Sequence, residues 1–91
     1  IHVWDLARAH VAAVQRFDAV TASEGPAAAI NLGTGEGVTV RELVAAFERV
    51  IGEPVTTVDL PPRPGDSAGV YTRSERAREL LGWEAELDLE Q

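Results

Sequence analysis

The sequence predicts a small α/β fold of three helices and two short strands. Three observations carry this. Apolar residues recur at three- and four-residue steps in three stretches, the pattern of a helix with one buried face. Two short apolar or β-branched runs, Ala27–Leu32 and Val55–Leu60, lie between them and read as strands. Glycine and proline mark most of the boundaries. The expected order is α, β, α, β, loop, α.

Each element has its own signal. Asp5 is a suitable N-cap for a first helix running to about Val20, with Leu6, Ala9, Ala13, Phe17 and Val20 on one stripe. Thr21 to Pro26 is turn chemistry and is expected to form a surface connection. After the first strand come three alternating glycines, Gly33, Gly35 and Gly37. Thr39 and Glu42 then form a capping box, in which each side chain takes a free N–H near the helix start. The helix that follows carries Val40, Leu43, Val44, Phe47, Val50 and Ile51 on one face, and Gly52 ends it. Pro61, Pro62 and Pro64 exclude helix and central strand from the next stretch. Ser74 is placed to cap a third helix through Leu81, with Ala77, Leu80 and Leu81 facing in. Trp83 is expected to pack back onto it, and Trp4 is also read as core.

Composition excludes several function classes. The 91 residues hold 15 acidic side chains against 8 arginines and no lysine, for a formal charge of −7. Such a balance argues against nucleic acid or an anionic membrane surface as partner. Cysteine is absent, so there is no disulfide scaffold, thiolate nucleophile or cysteine zinc site. His2 and His10 lack carboxylates at metal-ligand spacing. No apolar run reaches the roughly 18 residues of a membrane span. No basic and apolar leader opens the chain. Together these fit a cytoplasmic address. The chain starts without methionine, and it stops where Asp88 is placed to cap a new helix. It is therefore expected to be a piece of a longer protein, with residues 1–91 as one unit and only marginal stability of its own.

Two loops invite a chemical reading. The glycine stretch lies between a predicted strand and a helix, and Asp59 follows Gly37 by about 20 residues, as in a dinucleotide-binding unit. The spacing is G-x-G-x-G, however, and not the G-x-G-x-x-G that lets helix and strand pack closely. A tight turn is the expectation, with no cofactor bound there. The second loop is Pro62-Arg63-Pro64-Gly65-Asp66. Arginine offers a rigid fork of donors that suits phosphate oxygens. Asp66 can accept from a pair of sugar hydroxyls, Gly65 lets the backbone approach a ligand, and the prolines hold the loop stiff. A solvated Arg–Asp pair is the other reading of the same residues.

The remaining candidates are weaker. His10 reads as packed or solvated, and Tyr71 has no lysine to lower its pKa. Arg73, Arg76 and Arg78 alternate with glutamates and read as a solvated helix face.

In combination, these segments resemble a family. Ile1-His2-Val3-Trp4-Asp5-Leu6-Ala7 is similar to the "IHVxDLA" stretch of UDP-glucose (UDP-galactose) 4-epimerases, members of the extended short-chain dehydrogenase/reductase superfamily. Asn31 to Val40 resembles their "NLGTGxGxSV", Arg63-Pro64-Gly65-Asp66 their "RxGD", and Ala77 to Trp83 their "AxxxLGW". The four matches occur in family order and cover nearly the whole chain.

The resemblance implies the carboxy-terminal, substrate-binding part of such an enzyme, without the Rossmann half. NAD would be bound by that missing amino-terminal domain, and this chain would hold no cofactor and no metal. A tyrosine and a lysine of the missing part would drive reversible oxidation at the sugar's C4, so the chain alone would be inactive. Arg63 then matches the arginine on the UDP diphosphate and Asp66 the acid on the ribose hydroxyls, with Gly65 between them. Partners implied are a UDP-sugar and the Rossmann domain; relatives are often dimers. The tyrosine that some members carry after the acid falls at Val70, with Tyr71 beside it. Two other expectations stand beside this one: a nucleotide-sugar 4,6-dehydratase or UDP-glucuronate decarboxylase of the same superfamily, and a non-catalytic interaction module.

Overall fold

His2 opens the first helix: its Nδ1 accepts the backbone N–H of Trp4 at 3.1 Å. The computed structural model describes residues 1–91 and contains four helices, α1 (Val3–Gln15), α2 (Phe17–Glu24), α3 (Val40–Ile51) and α4 (Glu75–Leu81). There is no strand.

The expected α/β class is therefore corrected to all-helical. Ala27–Leu32 and Val55–Leu60 run as irregular chain without a β partner. A strand exists only through ladder bonds to a neighbour, and composition cannot report whether that neighbour is present. Backbone groups of these runs turn to side chains instead. Arg76 Nη1 donates to the Ala29 carbonyl at 2.8 Å, and the Val55 N–H donates to Glu48 Oε1 at 2.9 Å.

The first helix also differs from expectation. It breaks at Arg16 (φ −108°, ψ 13°) and resumes as α2, which extends through Glu24 into the expected loop. Asp5 is not the cap but lies in the first turn, fully buried. Its carboxylate is taken by distant backbone, a partnership invisible to local pattern. Trp4 is 68% exposed, not core. Ser74 precedes α4 without capping it, because its hydroxyl is committed to Gly33.

Other elements match their signals. Thr39 and Glu42 form the capping box of α3, with Glu42 N–H donating to Thr39 Oγ1 at 3.1 Å and Thr39 N–H to Glu42 Oε2 at 3.3 Å. Gly52 closes α3 in the left-handed conformation (φ 79°). Ala77 and Leu81 are buried and Trp83 packs against them.

The core is small. Ala9, Val20, Ala77, Leu81 and Trp83 form it, where α1 and α2 meet α4, and Ile30, Leu32 and Leu80 pack around them. Residues 53–74 hold no helix and lead from α3 to α4. The molecule measures 50 × 32 × 16 Å with a radius of gyration of 16.8 Å, against about 12 Å for a compact domain of this length. Its accessible surface is 7453 Å², roughly 2,300 Å² above what a compact protein of 9.7 kDa exposes.

Candidate functional site

The Arg63–Asp66 loop lies midway along the irregular stretch, and its geometry follows from its letters. Pro64 presets the second position of a turn, and Gly65 at the third has φ 89°, the value a type II turn demands there. Asp66 N–H donates to the Arg63 carbonyl at 3.0 Å and closes the turn. The Arg63 N–H donates in return to Asp66 Oδ2 at 2.8 Å. Positive φ in a turn therefore accounts for the glycine at 65.

The structure brings the two predicted side chains together. Arg63 Nη2 and Asp66 Oδ1 are 3.4 Å apart, and Nε reaches Oδ2 at the same distance. These are long contacts, and the arginine side chain is 86% exposed, so the ion pair is loose. The aspartate's firm partner is backbone. The guanidinium meets solvent with most of its donors. The loop borders neither the apolar cavity of about 140 Å³ between Phe17, Val20, Pro26 and Leu81 nor the open groove of about 520 Å³ at the end of α3.

The glycine stretch has a packing role. A Cβ on Gly33 would lie 2.4 Å from Thr72 Cγ2 and 3.2 Å from the Thr72 carbonyl oxygen. Ser74 Oγ donates to the Gly33 carbonyl at 2.7 Å and accepts the Gly33 N–H at 3.0 Å. The ring of Tyr71 lies against Gly37. Residues 71–74 thus pack against Gly33 and Gly37 of this loop. The same contacts anchor the chain a few residues beyond Asp66.

Sequence reasoning missed the most buried polar group. The Asp5 carboxylate accepts the N–H groups of Glu86 (3.0 Å) and Leu87 (2.9 Å) and pairs with Arg8. Burial pushes its pKa up, but the bonds from Arg8, Leu87 and Glu86 and the Arg8 charge outweigh it and hold the carboxyl below its ordinary value. Arg8 is raised in turn, first by Asp5 and then by Glu86. The only local hint was an acid inside the apolar lead-in Ile1–Leu6. Trp83 is core, and Arg76 and Arg78 pair with Glu24 and Glu84 on the surface. No group of three histidine, aspartate or glutamate side chains is arranged to hold a metal ion. No helix is long and apolar enough to cross a membrane.

No family model matches the chain. Individual relatives do. It is 42% identical over 90 residues to the UDP-glucose 4-epimerase of Bifidobacterium longum, covering 99% of this chain and 25% of the relative. A UDP-glucose 4-epimerase of Rhizobium meliloti is 44% identical over 89 residues, 98% of this chain and 26% of the relative. A bifunctional UDP-glucose and UDP-xylose 4-epimerase of Pisum sativum is 42% identical over all 91 residues, a quarter of its own length. The crystal structure of the Bifidobacterium longum UDP-glucose 4-epimerase in complex with NAD+ and UDP superposes with a TM-score of 0.82 at 37% identity, over 99% of this chain and 25% of that one. In sequence and in backbone the chain is similar to UDP-glucose 4-epimerases, and it spans about a quarter of the length of the relatives it matches.

Proposed function

We propose that residues 1–91 form a nucleotide-sugar-binding part of a UDP-sugar 4-epimerase and that Arg63, Gly65 and Asp66 are its nucleotide contacts. One observation carries the reading: a stiff turn offers an exposed guanidinium beside a carboxylate, in a chain matched end to end by UDP-glucose 4-epimerases. Arg63 supplies donors to the diphosphate oxygens. Asp66 keeps Oδ2 on the Arg63 N–H and offers Oδ1 to the ribose hydroxyls. Gly65 gives the turn its shape.

In the whole enzyme, NAD held outside this chain would supply the hydride chemistry for reversible oxidation at the sugar's C4. The packing of Thr72 on Gly33 and of Tyr71 on Gly37 supports a holding site for NAD on residues outside this chain. The excess surface supports a larger body as partner, the Rossmann domain of the same enzyme.

The test is a chimera in which this chain replaces the matching quarter of the Bifidobacterium longum enzyme. Turnover of UDP-galactose is expected. Arg63→Ala removes a charge-assisted bond of about 1.5–3 kcal/mol, so KM is expected to rise roughly 10- to 150-fold. A folded chimera without turnover, or an Arg63→Ala variant with unchanged KM, rejects the reading.

A further inference from the structure

A serine one position ahead of a helix ordinarily caps it by accepting a free N–H of the first turn. Ser74 does not cap α4. Its hydroxyl donates to the Gly33 carbonyl at 2.7 Å and accepts the Gly33 N–H at 3.0 Å, a two-bond clamp across 41 residues. Giving up a local bond for a distant one marks a position that serves something other than its own helix. What the clamp holds is the chain that follows Asp66. Thr72 Cγ2 lies against Gly33, and the ring of Tyr71 lies against Gly37. At the other end of the run, Glu48 of α3 accepts the Val55 N–H at 2.9 Å. Between these two anchors no hydrogen bond ties the chain to the rest of the molecule. Those of residues 56–70 all run between Arg63 and Asp66. Val58, Leu60 and Val70 are 77%, 80% and 85% exposed, so apolar packing does not hold the run either.

We propose that Ser74 is a positioning residue for nucleotide-sugar binding: its clamp on Gly33 holds the Arg63–Asp66 turn where guanidinium and carboxylate meet the ligand together. Glu48 is the matching anchor upstream. The inference rests on the reading of Arg63 and Asp66 given above. Bonds within the turn fix Arg63 relative to Asp66, but they do not fix the turn relative to the body of the molecule. That second constraint comes from the anchors. Freed at one end, the run takes many arrangements, few of which keep the turn in place, and apparent affinity falls with that fraction. Extending the untethered run to the next hold, Arg76 on the Ala29 carbonyl, costs only a factor of about 1.5 in loop closure. The larger part is the lost direction of the chain at residues 71–74. Chemistry at the sugar is untouched, because the clamp acts on binding alone.

The chimera also tests this inference. Ser74→Ala is expected to raise KM for UDP-galactose roughly 3- to 10-fold at unchanged kcat, and the Kd for UDP by the same factor. Ser23→Ala removes a hydroxyl bond of the same kind within α2 and is expected to leave both at the parental value. In an Arg63→Ala background Ser74→Ala is expected to add less than it does in the parent, since part of what it positions is gone. A parental KM in Ser74→Ala overturns the inference. So does a fall in kcat at unchanged KM, the mark of a merely structural serine, and so does full additivity with Arg63→Ala. Where Ser74→Ala does not assemble, Glu48→Ala at the upstream anchor is held to the same readings. A raised KM in Arg63→Ala beside a neutral Ser74→Ala sinks this inference alone. A parental KM in Arg63→Ala sinks the nucleotide-sugar reading itself, whatever Ser74→Ala does.

Discussion

Trp83 donates its indole N–H to the backbone carbonyl of Asp5 at 2.9 Å, across 78 residues of sequence. The carboxylate of the same aspartate accepts two backbone N–H groups just beyond the tryptophan. One residue in the first turn of α1 therefore holds the segment that follows α4 from both its side chain and its main chain.

Acid is expected to release this clasp. Asp5 has a folded pKa below its unfolded one. Its contribution to stability is complete above the unfolded carboxylate value of about 4 and is lost as pH falls through the lower folded value. Circular dichroism melts between pH 7 and 3 should show the midpoint falling at the acid end. Asp5→Asn should start from a lower midpoint and lose that part of the acid dependence. An unchanged acid slope in the variant contradicts the assignment.

Trp83 separates two contributions. Trp83→Phe keeps most of the buried ring and removes the N–H, so the long-range bond to the Asp5 carbonyl is lost at an expected cost of about 1 kcal/mol. Trp83→Ala empties the core as well and should cost roughly 3–5 kcal/mol. Urea titrations monitored by circular dichroism give both values. Equal losses would mean that the hydrogen bond, and not the ring, holds the core.

Gly33→Ala is expected to be destabilising by roughly 1–3 kcal/mol, because the new methyl meets Thr72 Cγ2 and the Thr72 backbone cannot move away from the Ser74 clamp. Thr72→Ser removes the methyl in the way and should recover part of the loss in the double variant. Gly69→Ala, with open space around it, is the control and should be near neutral. Additive effects at 33 and 72 would refute the close approach.

Turn shape and side-chain contact are separable at the Arg63–Asp66 loop. Gly65→Ala forces an L residue to φ 89° and should cost the turn about 1 kcal/mol or more. In the chimera, KM for UDP-galactose is expected to rise several-fold with kcat unchanged, less than for Arg63→Ala. A KM at the parental value would show that the turn need not be formed for binding.

Local chemistry made much of this protein legible from its letters. Thr39 and Glu42 announced α3 because a capping box needs only four consecutive residues. Pro64 and Gly65 announced the turn that brings Arg63 to Asp66, since proline fixes its own φ and glycine accepts a positive one without strain. Ala77, Leu81 and Trp83 were readable as core from their spacing. Four motifs in order along the chain resemble those of UDP-glucose 4-epimerases.

What required the tertiary structure was every feature that depends on a distant partner. The runs at 27–32 and 55–60 carry strand composition, but no neighbour lies alongside to supply a ladder. Asp5 has the local signature of a cap, and only the return of residues 86 and 87 turns it into a buried clasp. Gly33 reads from sequence as part of a tight turn, and only the fold shows that Thr72 lies against it. Sequence determines where the backbone bends and which face of a helix is apolar, because those follow from neighbours a few residues away. Whether an apolar face is covered, or an acid buried, is decided by segments that meet only when the chain folds.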